Sequence, residues 1–199
     1  MSIEEKIQKI RKIRHSEMSE ILPNLFLGSR LNSTNKEEIR KNGICRILAI
    51  HDRKEEHRFD FLNYKFIKIS DSADANISDV FGEAVQFIHE ARIRDEPVLV
   101  HCLMGQSRSA TVICAYLATF YELDGPTCLQ FVRKRRKQVN PNVGFIMQLN
   151  KYAKNFASLE RARIIEITSS SSSNLNNPHL LNNDSQIINK YCPFAVNIV

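Results

Sequence analysis

Along the chain, short apolar runs rich in β-branched residues alternate with longer stretches in which apolar residues return every three or four positions. Residues 20–29 (EILPNLFLGS) predict two short strands around Pro23-Asn24, a pair that favours a turn. Residues 32–43 (NSTNKEEIRKNG) predict one helix with an acidic first turn and Gly43 just past its end. Strands are expected at 44–50, 64–70 and 97–101, the last being nearly continuous in apolar character, as in a strand covered on both sides. In residues 78–94, Phe81, Ala84, Val85, Ile88 and Ala91 share one helical face. Further helices are expected at about 107–121, 126–138 and 142–157, with LDGPT marking the first break. Strands alternating with helices imply an α/β fold, a mostly parallel central sheet with helices on both faces. Such sheets hold their ligands at the carboxyl ends of strands, and His101-Cys102 lies at one.

The two ends read differently. Ile3, Ile7, Ile10 and Ile13 recur at helical spacing among lysines and arginines, so residues 1–17 predict a basic amphipathic helix. Its simplest use is to pack one apolar stripe on the body; a basic-then-apolar stretch also fits a docking sequence for a protein kinase. Residues 18–160 form the expected domain. Past Ile167 the chain turns serine- and asparagine-rich, so residues 168–199 are expected to be a low-complexity, flexible tail. Its last stretch, QIINKYCPFAVNIV, is apolar again, and docking on the domain or binding a partner both remain open.

Composition narrows the classes. With 199 residues and 43% hydrophobic content, the chain can bury roughly two thirds of its unfolded surface in one domain. No apolar run approaches the ~20 residues that span a bilayer. Charge sits at the N-terminus where a secretory signal needs its apolar core. The expectation is a soluble protein without membrane insertion, in the cytoplasm, with the nucleus as an alternative. The five cysteines, Cys45, Cys102, Cys114, Cys128 and Cys192, contain no C-x-x-C pair, so neither a disulfide framework nor a zinc knuckle is indicated. The net charge of +6 is concentrated: residues 4–14 and the run RKRRK at 133–137 hold more than all of it. Acidic or phosphorylated partners fit that pattern, whereas a nucleic-acid surface does not.

The chemistry concentrates in HCLMGQSRS, residues 101–109, where a strand passes through a short loop into a helix. Such a turn aims backbone N–H groups into one concavity, and the helix dipole adds positive potential. Gly105 lets the backbone approach without a Cβ. Arg108 offers a planar fork for two phosphate oxygens, where lysine acts only as a point charge. Cys102 sits below this cup, where the same field favours its thiolate, a strong nucleophile. A cysteine at a buried strand end is usually an inert small hydrophobe; the ordered addition of His, Gly, Ser, Arg and Ser favours catalysis.

HCLMGQSRS resembles the H-C-x₅-R-S signature of cysteine-dependent protein phosphatases, specifically the dual-specificity group. The resemblance covers about 18–157, with EILPNLFLGS similar to that group's opening strands and NPNVGFIMQL (140–149) similar to its P-N-x-G-F-x-x-Q-L helix. It implies the fold of protein tyrosine phosphatases in its dual-specificity form, no cofactor and no metal. It implies Cys102 as nucleophile, with Arg108 and the loop residues Leu103, Met104, Gly105, Gln106 and Ser107 binding phosphate. Asp71, right after the I-S that ends a strand, is implied as general acid and then base. Asp74 is the competing acid or a solvated turn residue, and Asp79 could cap the following helix. Ser109 resembles the hydroxyl that bonds the leaving sulfur, His101 the histidine that braces the loop, and Asn142 an asparagine tying loops together.

The implied activity is hydrolysis of phosphotyrosine, phosphoserine and phosphothreonine in proteins through a phosphocysteine. The absence of lysines between Cys102 and Arg108 argues against phosphoinositides, and Ser107 and Ser109 depart from the RNA-triphosphatase pattern. About eighteen residues precede the domain, which suggests the small, atypical subgroup. VRKRRKQ (132–138) is either a solvated helix face or an attractor of acidic phosphopeptides. A phosphate-reading pseudoenzyme and a thiol redox protein are the alternatives; the first usually lacks one of the three reactive groups, and the second leaves Arg108 unexplained.

Overall fold

A computed structural model describes residues 3–5, 7–8, 16–53, 59–170 and 178–192 of the chain. Five strands form the sheet: β1 (Ser19–Leu22), β2 (Leu25–Ser29), β3 (Arg46–Ile50), β4 (Asn63–Ile67) and β5 (Val98–Cys102), in the order β1-β2-β5-β3-β4. Only β1 runs antiparallel to its neighbour; the other pairs are parallel. β5 therefore lies in the middle. Register pairs Gly28 with His101 and Ser29 with Cys102 across β2, and Ala49 with His101 across β3.

The pleat divides the core in two. Leu27, Leu48, Val98 and Val100 face a large apolar cluster, while Phe26, Ile47 and Leu99 face a small one with Met18, Ile39 and Ile44. The large face is covered by α3 (Phe81–Ile93), α4 (Arg108–Tyr121), α5 (Gly125–Arg135), α6 (Val143–Asn155) and α7 (Ala157–Ser170). Two short helices, α1 (Arg30–Thr34) and α2 (Lys36–Lys41), stand where one was expected. Asn35 leaves helical geometry and its side chain accepts the Glu38 N–H, so it caps α2 instead of continuing α1. Gly43 follows α2 with φ +61°, as its place past the helix end predicts.

All fourteen residues of α4 are buried. It begins directly after the loop that follows β5, so the central strand and the central helix meet at residues 102–108.

The tail departs from expectation. α7 runs on to Ser170, and residues 178–191 form a further helix, α8 (Pro178–Tyr191). Asp184, Ile188 and Cys192, four apart, make its buried stripe. Asp184 takes Arg92 of α3 on both oxygens, at 2.7 and 3.1 Å, and also accepts from the Tyr121 hydroxyl. Arg92 in turn reaches Tyr116 (3.1 Å) and the Pro23 carbonyl (2.9 Å). Serine- and asparagine-rich composition predicts flexibility here; the buried Arg92 on α3 gives the segment a partner that composition does not show. Asp184→Ala leaves that guanidinium buried without its carboxylate, and denaturant unfolding should show a loss of about 3–5 kcal/mol. Unchanged stability would mean that α8 does not dock in solution. Residues 171–177 and 193–199 of the expected tail lie outside the described residues.

At the other end, residues 3–5 and 7–8 are helical, with Ile3 and Ile7 exposed; Ile10 and Ile13 lie outside the described residues. Among the described residues no helix is long and apolar enough to cross a membrane.

Candidate active site

β5 delivers Cys102 to the end of the sheet, 1% exposed. Its Sγ accepts the Gly105 N–H at 3.2 Å and the Ser109 hydroxyl at 3.2 Å. Gly105 adopts φ +66°, and a Cβ there would stand 2.4 Å from the Gly28 carbonyl oxygen, so only glycine fits. Burial pushes the Cys102 thiol up. The Ser109 hydroxyl and amide, the Arg108 charge and the Met104 amide together outweigh it, and the thiol ends below its ordinary value. Cys114 and Cys128 are equally buried, and there burial pushes the thiol up. Because the Ser109 hydroxyl is the largest group favouring the thiolate, Ser109→Ala should move the midpoint of Cys102 alkylation by iodoacetamide to higher pH. A midpoint that stays put would remove Ser109 from the account.

Arg108, the first residue of α4, is 3% exposed. Its Nη1 donates to Asp52 Oδ1 (3.1 Å) and to the Ile69 carbonyl (3.0 Å). Nε is buried without a hydrogen bond and faces Asp71 Oδ2 at 3.5 Å. One nitrogen thus anchors the fork, and the Nε edge is left for an anion.

Asp71 follows β4 on the loop facing the cup. Its Oδ1 accepts from the Ser107 hydroxyl (2.6 Å) and from Asn142 Nδ2 (3.0 Å). Asn142 also caps α6 by accepting the Phe145 N–H, so it does tie the two loops together. Behind it, Gln148 donates to the Ala75 carbonyl and accepts from the Ser78 N–H, pinning the Asp71 loop to α6. Gly144 packs so closely on that loop that a Cβ would stand 2.0 Å from the Ala73 carbonyl oxygen. Asp74 is exposed, its amide turned to the Ser72 hydroxyl. Asp79 does not cap α3: it lies inside a 3₁₀ turn (Ile77–Val80), and Val80 holds the cap position with no side-chain bond.

Two further loop residues, Leu103 and Gln106, are held through their backbone carbonyls. Leu103, Met104 and Gln106 are half-buried, and Gly105 and Ser107 are buried. The Leu103 carbonyl accepts the Arg30 N–H (3.4 Å), and the Gln106 carbonyl accepts the Asn140 N–H (2.9 Å). His101 is fully buried; its Nδ1 lies 3.4 Å from the Cys102 carbonyl, and its ring stands 5.7 Å from that of His51.

Two residues escaped the sequence reading. Asp52 sits just past β3, the parallel neighbour of β5, and the rule that ligands gather at strand carboxyl ends could have flagged it. VRKRRKQ predicts a solvated helix face or an attractor of acidic phosphopeptides, yet Arg136 within it is 2% exposed and touches the Gly105 carbonyl at 3.1 Å. The other cations of that run divide: Arg135 lies over the Tyr191 ring of α8 at 4.3 Å, and Arg133 and Lys134 are exposed.

A buried cysteine whose thiol lies below its ordinary value, under a glycine-turned loop, with an arginine opening a helix and an aspartate beside that arginine, is the site of a cysteine-dependent phosphatase. Residues 25–155 match the family model described as the dual specificity phosphatase catalytic domain, and the chain belongs to that family. It is 39% identical over 137 residues to human dual specificity protein phosphatase 22, covering 69% of this chain and 74% of that one. Among solved structures, that of DUSP15 superposes with a TM-score of 0.73 at 30% identity, over 75% of this chain and 95% of that one. A mouse putative dual specificity phosphatase complexed with zinc tungstate superposes with a TM-score of 0.63 at 26% identity, over 74% and 91%. The protein is a dual-specificity protein phosphatase, acting on phosphotyrosine and phosphoserine or phosphothreonine through a cysteine.

Proposed function

We propose that Cys102 Sγ attacks the phosphorus of a phosphorylated side chain held in the 103–108 cup. A sulfur–phosphorus bond forms as the bond to the substrate oxygen breaks, and the Asp71 carboxyl gives its proton to that departing oxygen. Asp71, now ionised, takes a proton from water; the water oxygen bonds phosphorus, the phosphocysteine breaks and the thiolate is restored. Arg108 contributes its Nε edge and the loop its amides to the equatorial oxygens. Ser109 steadies the sulfur as it leaves, and His101 braces the strand end. The observation that carries this reading is the Cys102 sulfur with Gly105 N–H and Ser109 Oγ each at 3.2 Å, below an arginine whose buried Nε lacks a hydrogen bond.

Entry of phosphate exchanges the Arg108 Nε–Asp71 contact for a phosphate oxygen, which leaves the Asp71 carboxyl facing the leaving group. Tungstate is a tetrahedral oxyanion like phosphate, and its presence with the mouse relative supports an oxyanion cup here. Phosphorylated proteins are the partners in this reading. A protein kinase docked on the N-terminal helix is its extension, supported by the exposure of Ile3 and Ile7. A nucleophile that works only when reduced suits the cytoplasm or nucleus, and all five cysteines are free thiols.

The test is orthophosphate release from phosphotyrosyl and phosphoseryl peptides, with a metal chelator present, by wild type and Cys102→Ser. Release from both peptides by wild type alone is expected. Equal release by the two proteins would sink the mechanism.

A further inference from the structure

Arg92 and Arg136 are the largest fully buried side chains among the described residues. Arg92 meets Asp184. Arg136, just past the end of α5, turns its guanidinium to the catalytic loop and to the start of the domain. Nε donates to the Gly105 carbonyl (3.1 Å), Nη1 to the Glu17 carbonyl (2.9 Å) and the Ser19 hydroxyl (3.2 Å), and Nη2 to the Ser16 hydroxyl (3.2 Å). Burial lowers its pKa to about 10, against the charges of Cys102 and Glu38, so it stays a cation at neutral pH.

The Gly105 contact sets the shape of the cup. In a trans peptide the C=O and the following N–H point opposite ways, and among the described residues no peptide bond is cis. A Gly105 carbonyl held toward Arg136 therefore turns the Gln106 N–H to the other side, where the anion sits. The Asn140 N–H does the same for Ser107 through the Gln106 carbonyl, and the Arg30 N–H for Met104 through the Leu103 carbonyl. Gly105 is the link that most needs an outside hold, because without a Cβ its peptide rotates cheaply. A flipped plane would present a carbonyl oxygen to a phosphate.

We propose that Arg136 is a positioning residue for the phosphate cup: it holds the Gly105–Gln106 peptide with its N–H toward the bound anion and ties that peptide to the Ser16–Ser19 segment. The inference rests on the cup reading above and adds a dependence of the cup on residues 16–19, about ninety positions away in sequence from Gly105.

The experiment measures the inhibition constant of tungstate, together with KM and kcat on an aryl phosphate, for wild type, Arg136→Met and Arg136→Lys, with folding checked by thermal melting. A misplaced donor at an oxyanion site costs about 10–100-fold, and Arg136→Met should raise the tungstate constant by that factor. Arg136→Lys, which keeps the charge but not the fork, should fall between. A merely structural role would lower the folded fraction and apparent kcat while leaving KM and the tungstate constant unchanged, and that result overturns the proposal. If Arg136→Met does not fold, Arg136→Lys and the double variant Ser16→Ala/Ser19→Ala decide: a weakened tungstate block supports it, an unchanged one overturns it. Wild type that tungstate fails to inhibit would instead overturn the cup reading itself.

Discussion

Cys102→Ser is expected to fall at least about 10⁴-fold below wild type, because removing the nucleophile of a covalent mechanism leaves only binding and orientation. The two atoms differ little in size, so the serine variant should fold and still bind tungstate. What it lacks is an anion. The hydrogen bonds that bring the Cys102 thiol below its ordinary value favour a thiolate, whereas an alkoxide in the same place is far too basic to persist at neutral pH. Mass spectrometry of wild type quenched during turnover should find phosphate on Cys102. A serine variant retaining a few per cent of the rate would mean that another group attacks.

Asp71→Ala is the second large effect, about 10²–10⁴-fold, the range of a positioned general acid. The loss should track the leaving group. A phosphoserine departs as an alkoxide and needs the proton most; an aryl phosphate with an acidic phenol needs it least. The variant's pH profile should keep the rise at low pH that marks formation of the Cys102 thiolate. Asp74→Ala, at an exposed turn residue, should leave the rate unchanged. Equal losses at the two positions, or a larger one at Asp74, would reassign the acid. Ser107 and Asn142, which hold Asp71 Oδ1 at 2.6 and 3.0 Å, explain why this aspartate rather than Asp74 is poised at the cup.

The reactive segment was legible in the chain because it is contiguous. A buried strand, a glycine needing φ +66°, and an arginine opening a helix stand within the eleven residues from Val98 to Arg108, so local geometry alone brings them together. The alternation of strands and helices likewise carried the parallel sheet, since a parallel pair needs a crossover long enough for a helix. The misses have one cause. Asp52 meets Arg108 across 56 positions, Asp184 meets Arg92 across 92, and Arg136 meets Glu17 across 119. No periodicity or spacing encodes such pairs, and each of these residues in isolation reads as solvated surface.

Hydrophobic period therefore determined the alternating strands and helices, and the nine residues from His101 to Ser109 an anion cup with a cysteine beneath it; the phosphatase reaction followed from their resemblance to a known family. Tertiary structure decided which aspartate lies beside Arg108, which nitrogen of Arg108 is held by Asp52 and the Ile69 carbonyl, and which distant cations and carboxylates are taken out of water. The reason is energetic. A charged side chain is buried only where partners from other elements compensate its desolvation, and those partners meet only once the chain has folded.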